Sequence, residues 1–296
     1  MSPIQKLSSV EQLNFLLTNR IPRRQLTIFM GRLSKIESPV FTEAAIQVWK
    51  AFASDLDFSE SKEQRFNSLH ECFIRQLKDG ARKIEPGADI VTSPCDAIVG
   101  EFGAVRDREV IQAKGYPYQI DDLLQDPGLV SKYRNGKFLT LRIKSSMYHR
   151  FHAPMDCSVE KVSYISGDTW NVNPIALKRI ENLFCKNERA TLDLKLENDS
   201  DGILLVPVAA ILVASINLNC LPGPLNLQYR GPNEITCQKS YRKGEEMGHF
   251  EHGSTIILFS TDNFRFAQGL KTGQRINMGE PVLEKESLKT ESGSNK

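Results

Sequence analysis

The apolar positions of the chain change their period near residue 80. Before that point they repeat as they do in helices. Leu13, Phe15, Leu16 and Leu17 follow Ser8-Ser9 and Glu11-Gln12 at capping-box spacing, which predicts a first helix. Ile21-Pro22 breaks it and opens a second, in which Leu26, Phe29, Met30 and Leu33 fall on one face. A third helix is expected after Ser38-Pro39, with Ala45, Val48, Trp49 and Phe52 turned inward. Ser68-Leu69-His70-Glu71 repeats the capping spacing ahead of Cys72, Phe73, Ile74 and Leu77.

Beyond Lys78-Asp79-Gly80, short β-type runs alternate with Gly, Pro, Asn and Asp turns. Ile90–Thr92, Phe138–Ile143, Val162–Ile165 and Ile211–Val213 are such runs. The expected fold is α+β: an N-terminal helical region over residues 1–60 and a β-rich, barrel- or sandwich-like catalytic body over 61–283. The tail 284–296 is charged and rich in Ser and Lys, a composition that predicts disorder.

Composition narrows the partners. The 296 residues can bury a large core without disulfides or metal, and the net charge of +2 argues against a nucleic-acid partner. Six scattered cysteines form no Cys-x-x-Cys pair, which fits reduced thiols. No apolar run approaches the roughly 20 residues that span a bilayer, so any membrane association is expected to be peripheral. Arg23, Arg24, Arg32 and Lys35 surround the apolar face of the second helix. Such a helix can pack on its own domain or lie on an anionic lipid surface.

Three stretches could carry chemistry. Asp96, in Ser93-Pro94-Cys95-Asp96, stands where an Asp either caps backbone amides or orients a histidine. His149 and His152 follow the 138–143 run, and neither a Cys nor a carboxylate stands beside them at metal-ligand spacing. Structural hydrogen bonding and general acid–base work remain open for both. Gly253-Ser254 separates a charged, glycine-rich stretch from the apolar strand Thr255–Phe259. It is not a Gly-x-Ser-x-Gly elbow. Asp96, the histidine pair and Ser254 together match an Asp-His-Ser relay by role. The segments 167–174 and 182–189 mix apolar and polar residues as a pocket lining or a sheet edge would.

Across residues 60–283 the chain resembles the bacterial-type, pyruvoyl-dependent phosphatidylserine decarboxylases. The blocks that carry the resemblance are Phe73–Lys78, Ser93–Asp96, Gln112–Gly115, Tyr148–His152, Asn182–Arg189 and Lys243–Thr255. The resemblance implies a proenzyme that cuts itself. Ser254 would attack the Gly253 carbonyl, with His152, oriented by Asp96, taking the proton. The products would be a β chain of residues 1–253 and an α chain of 254–296. These would stay together as a heterodimer, further dimerisation being left open. Ser254 would become the covalent pyruvoyl cofactor, which binds the substrate amine as a Schiff base and accepts electrons as carbon dioxide leaves. His149 is implied as an acid–base residue of that step.

A phosphatidylserine substrate favours the membrane reading of the second helix, through Arg23, Arg24, Leu26, Phe29, Met30, Arg32, Leu33 and Lys35. The expected location is the cytoplasmic side of the cell membrane, held peripherally. The chain departs from the family pattern at Ala97, Met147 and His252, where the family usually carries glycine, an acidic residue and leucine. The alternatives are an uncleaved lipid-binding relative, a pyruvoyl decarboxylase of another amine, and a serine hydrolase.

Overall fold

A computed structural model of the chain describes residues 22–53, 55–113, 116–197, 201–212, 215–251 and 254–286, apart from the side chain of Phe52. The helix expected over 8–17, Lys114-Gly115, and His252-Gly253 lie outside the described residues.

Helix α1 (Arg23–Leu33) has Thr27 as its buried residue, while Leu26, Met30 and Leu33 are half-buried and Phe29 is exposed. The Thr27 hydroxyl accepts the Leu212 amide at 3.0 Å, so the helix is turned toward the body along a polar residue of its face. Helix α2 (Pro39–Phe52) starts where the sequence placed it. Pro39 fills the first turn, and the Ser38 hydroxyl accepts the Phe41 amide. Its inner stripe is Thr42, Ala45, Ile46 and Trp49, while Val48 is 61% exposed. The helical period was right and its phase was off at Val48, which lies beyond the edge of that stripe. Helix α3 (Leu69–Phe73) is capped by Ser68, whose hydroxyl accepts the Glu71 amide, but it ends sooner than the apolar spacing to Leu77 suggested. Leu77 instead bridges to Ser61 in extended backbone. Ile46, Phe66 and Cys72 form a small satellite core under these helices.

The body is built from β1 (Ile90–Thr92), β2 (Ala97–Ala104), β3 (Glu109–Ala113), β4 (Tyr116–Gln119), β5 (Lys137–Ile143), β6 (Arg150–His152), β7 (Cys157–Ile165), β8 (Arg189–Lys195), β9 (Gly202–Val208), β10 (Ser215–Leu218), β11 (Leu225–Asn226), β12 (Glu234–Tyr241), β13 (Glu246–Phe250), β14 (Ser254–Ser260), β15 (Phe264–Phe266), β16 (Arg275–Ile276) and β17 (Pro281–Lys285). The largest sheet is open and antiparallel, in the order β12-β7-β8-β9-β14-β5-β2-β16. A four-stranded sheet, β11-β10-β13-β6, carries the histidine segment, and a third sheet joins β1, β17 and β15. None closes into a barrel, so the β-rich α+β reading holds without the barrel form.

Strands β9 and β14 are buried at every residue, as their nearly unbroken apolar runs require. Strand β9 stops at Val208, and Ile211-Leu212 form a turn with Leu212 at φ +68°. The half-buried Ile211 and Leu212 line a cleft rather than lengthen the strand. Strand β17 carries Glu284 and Lys285, so ordered structure continues past the expected start of the tail.

Four short helices interrupt the strands: α4 (Ile120–Leu124), α5 (Pro127–Tyr133), α6 (Pro174–Leu177) and α7 (Leu183–Lys186). The sequence suggested only turns at these places. Asp126 caps α5 by accepting the Gly128 and Leu129 amides, and Asn173 caps α6 by accepting the Ala176 amide.

Candidate active site

Ser254 is the first residue of β14, paired with Ile143 of β5, in the middle of the eight-stranded sheet. Its neighbour Thr255 pairs with Arg142 on one side and Val208 on the other. Ser254 is fully buried, and its Oγ has no hydrogen-bond partner among the described residues. A buried hydroxyl left unsatisfied costs stability, and Thr255 and Ser260 of the same strand share this state among the described residues.

His152 ends β6, opposite Glu246 of β13. Its Nδ1 lies 2.9 Å from the Gly244 carbonyl and its Nε2 3.0 Å from the Tyr148 hydroxyl. A carbonyl only accepts, so Nδ1 carries the proton and Nε2 presents its lone pair. Burial pulls the imidazole below its ordinary value, opposed by the bond to Gly244 and by the charges of Glu246 and Asp96. The result is a neutral ring whose Nε2 lone pair accepts the Tyr148 hydroxyl, and release of that bond gives the form a general base needs.

Asp96 is buried just before β2. Its carboxylate accepts from Arg82, at 2.9 Å to Nε and 2.6 Å to Nη2, and from the Met278 amide at 2.9 Å. It makes no hydrogen bond to His152 among the described residues. The orienting bond that the resemblance assigns to Asp96 is made by the Gly244 carbonyl, and Asp96 reaches the ring only as nearby charge. Asp96 satisfies a backbone amide, and toward the histidine it contributes charge without an orienting bond. The backbone of the two segments is tied together, because the His152 amide donates to the Pro94 carbonyl at 2.7 Å.

His149 is fully buried and packs edge-on against Phe73, with ring centroids 5.8 Å apart. Phe73 is also a wall of a cleft of about 510 Å³ between the helices and the end of the large sheet. Met30, Trp49 and Leu69 form the helical side, and Arg142, Ile143 and Leu212 the sheet side. The lining is mostly apolar. Because β5, β14 and β9 are adjacent, residues flanking Ser254 on both sides belong to this cleft or border it.

The cations of α1 are largely engaged within the protein. Arg23 pairs with Asp168 and its guanidinium lies 3.6 Å over the Trp170 ring. Arg24 donates to the Gly167 and Leu227 carbonyls. Lys35 donates to the buried Glu251 at 2.9 Å, and His70 lies 3.9 Å from the same carboxylate. Arg32 is exposed. The segment 167–174, read from sequence as pocket lining or sheet edge, is divided: residues 167–170 dock α1, and Asn171, Val172 and Asn173 line the cleft.

Sequence reasoning missed Gly244, Arg82 and Tyr148 as partners. Tyr148 sat in plain view four residues from His152. The other two left no signal, since one acts through its backbone and the other meets Asp96 from 14 residues away. Among the described residues no cluster of metal-ligating side chains is present.

A buried serine opening a central strand, a buried histidine and an apolar cleft thus lie within one β-rich body. The family model for phosphatidylserine decarboxylase matches residues 69–284. The phosphatidylserine decarboxylase proenzyme of Vibrio parahaemolyticus is 35% identical over 272 residues, covering 88% of this chain and 94% of that one. The proenzyme of Vibrio cholerae is 35% identical over 271 residues, and that of Aliivibrio fischeri 32% over 271. The chain belongs to the phosphatidylserine decarboxylase family.

Proposed function

We propose that this chain is a proenzyme that cuts itself between Gly253 and Ser254 and then decarboxylates phosphatidylserine to phosphatidylethanolamine with a pyruvoyl group made from Ser254. The carrying observation is the buried, unbonded Ser254 Oγ at the mouth of β14, beside an apolar cleft. The residues present fit such a group: a group made from Ser254 would sit buried beside Ile143, a residue of the cleft wall.

In the cut, Ser254 Oγ attacks the Gly253 carbonyl and the amide becomes an ester. His152 Nε2 receives the hydroxyl proton. The Gly244 carbonyl holds the ring in its tautomer, and the Asp96 charge favours the imidazolium that forms. Loss of the Ser254 α-proton then expels Gly253 as a carboxylate. Water converts the remaining dehydroalanine to a ketone and releases ammonia. Glycine before the serine leaves the carbonyl open to attack.

The pyruvoyl group supplies a ketone that takes up the substrate amine and receives the electron pair freed as carbon dioxide departs. His149 exchanges a proton at the carbon that loses the carboxylate. Its support is its placement against Phe73 on the cleft wall. The apolar cleft excludes water around the reacting headgroup and receives the start of the acyl chains.

The two fragments, 1–253 and 254–296, remain one heterodimer, because β14 stays paired with β5 and β9. The protein sits peripherally on the cytoplasmic side of the cell membrane. Phe29, Ile36, Val40, Phe41 and Val48 support this, as exposed apolar side chains concentrated on α1, α2 and the link between them. Arg32 adds an exposed cation to the same region. No helix among the described residues is long and apolar enough to cross a membrane.

The test is the intact mass of purified protein, followed by carbon dioxide release from phosphatidylserine vesicles. Two chains divided at 253/254, the second blocked at its N-terminus, and carbon dioxide from the vesicles are expected. A single full-length chain would refute the self-cutting step, and cleaved protein inert on phosphatidylserine would refute the substrate.

A further inference from the structure

We propose that Arg142 binds the phosphodiester of the lipid headgroup and thereby makes the site selective for a phospholipid over a phosphate-free amino acid. This rests on the function proposed above.

Arg142 lies on β5 opposite Thr255, one position inward from the Ile143–Ser254 pair. Its half-buried side chain lines the cleft. The other cations near the cleft have acceptors of their own. Lys144 pairs with Asp55, Arg150 with Glu246 at 2.7 Å and Lys35 with Glu251 at 2.9 Å. Arg75 donates to the Cys72 and Ser146 carbonyls. The Arg142 side chain makes no hydrogen bond or ion pair among the described residues. Burial pulls its guanidinium below the ordinary value, and no acidic neighbour opposes that shift. A desolvated guanidinium without a counter-charge is costly, and an arriving anion relieves the cost.

The substrate brings two anions, and chemistry chooses between them. The carboxylate becomes neutral carbon dioxide, so an arginine paired with it would stabilise the ground state above the transition state. The phosphodiester keeps its charge throughout, and its oxygens match the two-pronged guanidinium. Geometry agrees. Strand alternation puts Arg142 on the face of Thr255, opposite the Ser254 side chain. Its ladder pair is the next one along from that of Ser254, so the cleft it lines begins one residue from the reacting carbon.

The experiment compares wild type, Arg142→Gln and Arg142→Lys. Intact mass first establishes self-cutting, which reports an assembled site. Phosphatidylserine in mixed micelles and a long-chain O-alkylserine, which keeps amine and carboxylate but lacks phosphate, are then assayed. Arg142→Gln should cut itself fully, raise KM for phosphatidylserine by about tenfold or more, and leave kcat nearly unchanged. Its kcat/KM for the O-alkylserine should equal that of wild type. Arg142→Lys should fall between the two, and it carries the comparison should the Gln variant fail to mature. An unchanged KM for phosphatidylserine overturns the proposal, as does an equal loss on both substrates. Wild type that cuts itself yet turns over neither substrate refutes the underlying function instead, which the variants are not needed to reveal.

Discussion

Ser254, His152 and His249 show what burial does to single groups. Ser254→Ala should leave the chain whole by intact mass, because no other hydroxyl opens β14. His152→Ala should do the same if Nε2 is the base. The bond from the Tyr148 hydroxyl to Nε2 stabilises the neutral ring, and its loss should raise the histidine's pKa. Tyr148→Phe should therefore move the acid limb of the self-cutting rate to higher pH, read by quenched time courses on gels. An unmoved limb would place the rate-setting proton elsewhere. His249 gives a stability counterpart. Burial first, then the Arg150 charge, pull it down to about 4. Between that value and its ordinary value near 6.5, the unfolded chain binds a proton that the folded chain refuses. Stability should thus fall as pH drops through that window, by up to about 3 kcal/mol. His249→Gln should flatten the dependence in urea titrations at several pH values.

At the scale of elements, the histidine segment hangs on a small sheet with little tolerance. A Cβ on Gly248 of β13 would stand 2.1 Å from the Asn217 carbonyl of β10. Gly248→Ala should force β13 from β10, and β13 also holds β6 with His152. The expected result is slower self-cutting in whatever protein folds, at rates that temperature or chaperone supply changes little. Normal cutting would mean the sheet adapts. The elements also show how far the sequence could be read. Capping residues announced α2 and α3, because Ser38 and Ser68 act on amides only three residues on. Alternating and continuous apolar runs announced β1, β5, β7 and β14. The short helices of the body, four to seven residues each, are too brief to establish a period. The Val48 phase error and the false strand at Ile211 share one cause: apolar character reports burial or binding without saying which. In the candidate site, Ser254, His149 and His152 were legible through the resemblance. The Gly244 carbonyl was not, since every residue has one.

The whole molecule turns a helical face carrying Phe29, Ile36, Val40, Phe41 and Val48 to the outside. Asp at Phe29, Val40 and Val48 together should weaken cosedimentation with phosphatidylserine vesicles while leaving self-cutting intact. Neutralising Arg23, Arg24 and Lys35 should instead loosen α1 from the body, since these cations hold Asp168, backbone carbonyls and Glu251. That change should lower thermal stability as well as vesicle binding. A loss of vesicle binding alone would reassign those charges to the lipid.

The pairing of β14 along its whole length has a last consequence, which concerns inheritance rather than chemistry. The proposed cut at its first residue would divide the polymer without dividing the sheet. Each small fragment would then be born in place beside its own large fragment. No pool of free fragments would form, and no recognition step would be needed to reunite them. Isotopically heavy and light mature protein, mixed and held under native conditions, should keep their own partners for as long as they stay folded. Scrambled masses would mean that the fragments exchange, and that the strand is held less firmly than its neighbours suggest.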